Sequence, residues 1–239
     1  MNTARSSIQT PSVIAAVPPW ILVPARNEGP RIQTILQAAH GAMPDATLVV
    51  VDGRSTDDTA SVAREAGAVV LQQTGQGYAD ALRTGYRHAL SAGAPWVIQL
   101  DADGQHPPES LPLVAEALDD ADWVVATRHG TGSPGPFRRR VGAAMLRGAL
   151  RWGTGIAVTD PTSGLQALTP AAMQCFVDDL PDEAPDTGAR VLAARAGLRY
   201  AEVPVWMPER EDGDSMHDGW TGVRNGLRSL RVATTGRLG

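Results

Sequence analysis

Lysine is absent from this sequence of 239 residues, and all 21 basic residues are arginine. Any anion bound here must therefore be met by guanidinium or backbone N–H groups, and guanidinium favours paired contacts to phosphate oxygens. Cysteine is nearly absent too. Cys175 stands alone, which excludes an intramolecular disulfide and any Cys-based zinc cluster, and it reads as a small buried hydrophobe. Positive charge is in deficit: 26 acids against 21 arginines give a net charge of -5 and a pI near 5.5, which argues against a general nucleic-acid binder. Long apolar runs are missing as well. Arg147 and Arg151 break the best candidate for a membrane span, residues 141 to 158, and Val13 to Val17 is too short for a signal-peptide core. These absences predict a soluble or peripheral cytoplasmic protein with a flexible tail over residues 1–19, ending at Pro18-Pro19. Neither an internal repeat nor a low-complexity block is apparent.

What the sequence does contain is a regular alternation. Apolar runs at 20–23, 47–51, 68–71, 96–100 and 123–127 read as strands, and helix-like segments lie between them at 30–42, 57–67, 77–92 and 109–119. Pro30 suits a first helical turn, and Ser55-Thr56-Asp57-Asp58 offers capping side chains and negative charge to helix N–H groups. Strand-helix alternation predicts an α/β fold with a mainly parallel central sheet and helices on both faces. The second half is less regular: helices are expected near 138–152 and 186–196, a strand near 199–206, a mobile loop over 208–219 and then a C-terminal helix.

In such sheets ligands bind beyond the carboxyl ends of the strands, so the loops 24–29, 52–56 and 101–108 form one candidate site. Each carries acid: Glu28, Asp52, and the pair Asp101 and Asp103. Two carboxylates one residue apart at a strand end can present oxygens to one hard cation, and Mg²⁺ or Mn²⁺ commonly completes its shell with substrate phosphates.

Seven short segments then occur in a telling order: VPARNE (23–28), VVVDGRSTDDT (49–59), GQGYADALRTG (75–85), DADGQHPPE (101–109), DPTSG (160–164), AEVPV (201–205) and R-x-x-G-x-S (210–215). In this order they resemble family 2 glycosyltransferases, and most closely the dolichyl- or polyprenyl-phosphate mannosyltransferase-like branch. The resemblance implies a GT-A fold over residues 20–216. It implies that Pro24, Arg26, Glu28, Asp52, Gly77, Asp101 and Ala102 bind the nucleotide sugar, and that Asp103, Gln105 and Asp101 hold Mg²⁺ or Mn²⁺. Asp101, Asp103 and Asp160 would be catalytic, and Arg128, Arg138, Arg139, Ser163, Arg210 and Ser215 would surround an acceptor phosphate. His106 is left outside that set. Departures from the family pattern are visible: Gly53-Arg54 where a second acid is usual, Gly188 where Glu is common, and Met216 where a Lys follows the late Ser. Arg54 is placed to favour a different nucleotide or to touch a phosphate.

The implied reaction is metal-dependent, inverting transfer of a hexose, mannose or glucose, from a GDP- or UDP-sugar to a polyprenyl or dolichyl phosphate. Two alternatives stand beside it: a hydroxyl acceptor, which would need a base among Asp160, Asp182, Glu183 and Asp186, or a nucleotide-sugar-binding regulator without turnover. A lipid-linked acceptor would be met at the cytoplasmic face of a membrane. At ~100° per residue, Arg140, Arg147 and Arg151 form one basic stripe, flanked by Val141, Met145 and Trp152 on one side and Leu146 and Leu150 on the other. In residues 217–239, Trp220, Val223, Leu227 and Leu230 lie beside Arg224, Arg228 and Arg231, as in basic amphipathic helices of the headgroup layer. Packing of both helices on the protein or on a second subunit is the competing expectation.

Overall fold

The computed structural model describes residues 17–104, 106–128, 137–160, 163–206 and 231–232, without the side chains of Arg128 and residues 137–143. Seven strands form one sheet: β1 (Trp20–Ala25), β2 (Thr47–Asp52), β3 (Val69–Gln72), β4 (Val97–Gln99), β5 (Trp123–Arg128), β6 (Gln166–Leu168) and β7 (Tyr200–Val205). The helices are α1 (Gly29–Ala42), α2 (Thr59–Glu65), α3 (Tyr78–Ser91), α4 (Ser110–Glu116), α5 (Phe137–Thr154), α6 (Pro170–Asp179) and α7 (Pro185–Ala196), and a 3₁₀ turn follows α4.

The strand order is β3-β2-β1-β4-β6-β5-β7. All pairings are parallel except those of β6, which runs antiparallel to β4 on one side and to β5 on the other. The fold is therefore mainly parallel, as the alternation predicts, with one reversed strand that the sequence pattern does not signal. Residues 166–168 are short and begin with Gln, and α6 follows directly; Pro170 at its start is the N-terminal signal that marks it.

Side chains alternate across the sheet into two cores. On β1, Ile21, Val23 and Ala25 pack with α1 and α4 residues such as Ile32, Leu36, Leu111 and Val114. Leu22 points the other way, toward Leu82, Tyr86, Trp123 and Phe176. A smaller cluster joins Leu150, Val158 and Val191 to Val232, which is 6% exposed.

Strand order reverses between β1 and β4, since the chain runs from β1 outward through β2 and β3 and then returns to place β4 on the other side of β1. The registered β1–β4 pairs end at Leu22, whereas β1 continues beside β2 to Ala25. Pro24, which has no N–H to give, thus sits where the ladder toward β4 has already ended. Such a divergence at the carboxyl end of a parallel sheet opens a crevice for ligand.

Candidate active site

The loops after β1 and β2 are stitched together by their own side chains. Asn27 N–H donates to Ser55 Oγ at 2.9 Å, and Thr56 N–H donates to Asn27 Oδ1 at 2.8 Å. Glu28 N–H donates to Thr59 Oγ1 at 2.8 Å, and Gly29 N–H to Asp57 Oδ2 at 3.1 Å. Asp57 also accepts from Thr59 N–H and its hydroxyl, which holds the carboxyl below the usual range. The acid expected to cap its own helix therefore serves the N-termini of α1 and α2 together. Asp52, buried at the end of β2, accepts Ser55 N–H on both oxygens at 3.2 and 3.3 Å. Arg54 takes a positive φ of 59° and donates to Thr74 O at 2.9 Å, tying this loop to the one before α3. Pro24 and Glu28 are half-buried, Arg26 is exposed, and Glu28 pairs with Arg31 at 3.4 Å. Gly77, with φ 85°, immediately precedes α3, and its carbonyl accepts from Gln73 Nε2.

The loop after β4 meets this rim from the other side of the crevice. Ala102 is buried, while Asp101 and Asp103 are partly covered. Burial pushes the Asp101 carboxyl up to about 6; His106 opposes the rise and the nearby Asp103 adds to it. Its Oδ1 accepts the Tyr78 hydroxyl at 3.0 Å. Gly164 lies against the same carboxylate: a Cβ built there would meet Asp101 Oδ2 at 1.7 Å. Gly164 thus abuts the acidic loop because β6 enters the sheet at the edge where β4 leaves it, Gln99 facing Gln166 in register.

Behind this contact lies a residue the sequence reading did not select. Arg190 has no exposed surface; it donates to Asp160 O at 3.0 Å and Asp186 O at 2.7 Å, and its guanidinium stands 5.5 Å from the Trp123 ring centre. Asp186 is held up to about 6 by burial, with Arg190 acting against the rise and Asp160 with it. Ser163 Oγ is buried with no hydrogen-bond partner. Asp182 is by contrast drawn away, paired with Arg83 on α3 at 2.5 Å.

Asp52, Gly77, Asp101, Ala102, Asp103, Asp160 and Ser163 thus converge on one end of the sheet, as does the backbone of Arg128 at the tip of β5. Gln105, Arg210 and Ser215 lie outside the described residues, as do the side chains of Arg128, Arg138 and Arg139. Among the described residues no cluster of three or more His, Cys, Asp or Glu side chains gathers for a metal. The donor set is instead two adjacent carboxylates, one held up by burial, an arrangement whose excess negative charge fits a hard cation that takes its remaining oxygens from phosphate or water.

Residues 20–173 match the family model for glycosyl transferase family 2. The chain is 30% identical over 216 residues to an undecaprenyl-phosphate mannosyltransferase of Micrococcus luteus, covering 83% of this chain and 86% of the relative. It is 28% identical over 242 residues to a polyprenol monophosphomannose synthase of Mycolicibacterium smegmatis, covering 92% and 87%. Its fold matches the crystal structure of glucosyl-3-phosphoglycerate synthase from Mycobacterium tuberculosis in complex with Mn²⁺, UDP-glucose and phosphoglyceric acid. The TM-score is 0.72 at 22% identity, over 94% of this chain and 82% of that one.

Proposed function

The chain belongs to glycosyl transferase family 2, and from that premise we propose that it moves a hexose, mannose or glucose, from a GDP- or UDP-sugar to a polyprenyl phosphate with inversion at the anomeric carbon. The observation that carries the reading is the Gly164 backbone set against Asp101, with Asp103 near it, beyond the carboxyl end of β4 and beside the crevice between β1 and β4. The two relatives whose names join mannose to a polyprenyl or undecaprenyl phosphate support the acceptor.

In this reading Pro24, Arg26, Glu28 and Asp52 line the base and ribose pocket, with Gly77 and Ala102 beside the sugar nucleotide. Asp103, Gln105 and Asp101 hold Mg²⁺ or Mn²⁺, which when bound offsets the negative charge developing on the nucleoside-diphosphate leaving group. Arg128, Arg138, Arg139, Arg210, Ser163 and Ser215 receive the acceptor phosphate, and Asp160 orients it near the anomeric carbon. A phosphate acceptor is already an anionic nucleophile, so positioning and charge compensation matter more than proton removal. Residues 20–216 form the transferase domain, and a basic face on α5 meets the bilayer surface that carries the acceptor.

The test is transfer from GDP-, UDP- and dTDP-sugars to a short-chain polyprenyl phosphate with Mn²⁺ or Mg²⁺. One donor should support transfer, and Asp103→Ala should lower it by roughly a hundredfold or more while the melting profile stays that of the parent chain. Full activity in Asp103→Ala would remove the metal assignment.

One observation favours a second acceptor class. Asp186, held up to about 6, stands in the electrostatic field of Asp101 and could take a proton from a hydroxyl acceptor. Transfer to a soluble alcohol, with none to polyprenyl phosphate, would select that reading.

A further inference from the structure

Gln99 is polar at the carboxyl end of the buried strand β4, has no exposed surface, and satisfies every side it presents. Its Nε2 donates to Gly164 O at 3.3 Å and to the Tyr78 hydroxyl at 2.8 Å, and its Oε1 accepts the Tyr86 hydroxyl. The orientation of this amide follows from chemistry. A carbonyl only accepts, so the Gln99 atom facing Gly164 O must be the NH₂ group, and Oε1 must face Tyr86. The Tyr78 oxygen therefore accepts a hydrogen bond from Gln99, and its own O–H donates to Asp101 Oδ1 at 3.0 Å. Across the ladder Gln166 plays a matching part: its Nε2 donates to Ser163 O at 3.1 Å, and its Oε1 accepts from Trp123 Nε1 at 2.8 Å. Two facing glutamines thus pin successive residues of DPTSG.

We infer that Gln99 and Tyr78 are positioning residues that hold Asp101 in its working orientation, with the direction of the relay set by the Gly164 carbonyl. One carboxylate oxygen is held by the Tyr78 hydroxyl, and the other lies in the slot that Gly164 leaves by lacking a Cβ. Gln99 governs both contacts, since it bonds Tyr78 and Gly164 at once. Neither Gln99 nor Tyr86 needs to touch substrate for this. The catalytic consequence rests on the reading that Asp101 faces the donor diphosphate and its metal.

The relay makes its three members unequal, and that inequality is the test. Tyr78→Phe removes the donor to Asp101. Gln99→Glu keeps the shape but replaces the NH₂ with an acceptor, so the Tyr78 proton turns toward residue 99 and leaves Asp101. Tyr86→Phe leaves a buried Oε1 without its donor, which lowers stability, yet keeps the Tyr78 proton on Asp101. Mn²⁺ affinity, read by electron paramagnetic resonance on the whole chain, and kcat/KM for transfer should each fall about 10- to 100-fold in Tyr78→Phe and in Gln99→Glu. The double variant should be no worse than Gln99→Glu alone, because both changes break one link. Tyr86→Phe should melt lower while keeping Mn²⁺ affinity and kcat/KM within about twofold of the parent. Gln99→Met, which adds no charge, offers Tyr78 no rival acceptor and so should lose less Mn²⁺ affinity than Gln99→Glu; Tyr78→Phe carries the test if the buried acid prevents folding. Unchanged Mn²⁺ binding and transfer in Tyr78→Phe, additive losses in the double variant, or losses in Tyr86→Phe that track its melting temperature would each overturn the relay. A parent chain that binds Mn²⁺ but transfers from no donor would refute the transferase reading instead, and the Mn²⁺ measurements would still decide the relay.

Discussion

Asp186 is where the chemistry of a single residue diverges most from its look in the sequence. Among Asp182, Glu183 and Asp186 it is one acid of three in a polar stretch, yet only it is folded into the first turn of α7 against the site. Its carboxyl, held up to about 6 chiefly by burial, binds a proton more tightly in the folded chain than the ordinary value of 3.8 allows. Its contribution to stability is therefore most favourable below about 4 and is lost as pH rises through about 6. Asp186→Asn should accordingly raise the melting temperature by a few degrees at pH 8, with the gain shrinking between pH 6 and pH 4. Calorimetry across that range checks it, and a melting temperature unchanged at pH 8 would count against the assignment. The same contrast explains what was legible at this scale. Asp101 and Asp103 could be read because two acids after an apolar run are themselves the signal. Tyr78 and Arg190 could not, because their roles come from contacts made across 23 and 30 residues of chain. Gln99 did carry a signal, an amide within Val97-Ile98-Gln99-Leu100, and a polar side chain buried in a parallel sheet calls for partners.

At the scale of elements, the first five strands and the helices between them follow from apolar period and turn chemistry, whereas β6 does not and α6 is marked only by Pro170 at its start. Three residues cannot display a period, and nothing in an apolar pattern encodes strand direction, so the reversal of β6 emerges only from pairing. Helix α3 shows how closely the legible elements fit. A Cβ on Gly85 would come within 2.4 Å of the Leu22 side chain, which is itself only 1% exposed on β1. Gly85→Ala brings up to about 1 kcal/mol of helix propensity but overpacks the contact at about 1–3 kcal/mol, so a net loss on the order of 1 kcal/mol is expected. In a chain of this size that lowers the melting temperature by about 2–4 °C. Adding Leu22→Ala should make the Gly85→Ala change less costly than it is beside Leu22. A stabilised Gly85→Ala variant would mean that α3 yields more readily than this packing allows.

For the whole molecule, the distribution of charge matters more than its sum. The chain carries -5 overall, yet α5 contains five arginines and no acid. Leu150 on this helix is fully buried and Leu146 packs with it, while Met145 and Trp152 are 56% and 79% exposed and Arg151 is exposed beside them. Among the described residues of the two apolar flanks, Leu146 and Leu150 therefore face the protein and Met145 and Trp152 face out. Of the C-terminal segment only residues 231–232 are described, and there Val232 packs against the same cluster. Among the described residues no helix is long and apolar enough to cross a membrane, so any attachment through α5 would be interfacial. Liposomes with anionic lipid should float the chain at low salt and release it at high salt, and Trp152→Ala with Arg151→Ala should weaken that flotation; salt-independent flotation, or none, would count against it. The reversed strand carries a last consequence, for how such a chain can diverge. Because β6 runs antiparallel, the excursion from Arg128 to Gln166 leaves and re-enters the sheet at the same end, beside the acidic loop. Both of its anchors are fixed by backbone pairing, so mutation can lengthen, shorten or rewrite the part of that stretch before Asp160 without shifting the register of any strand, while Ser163 and Gly164 stay tied to Gln166, Gln99 and Asp101. Descendants of one scaffold could in this way exchange acceptors while inheriting the donor-facing half unaltered.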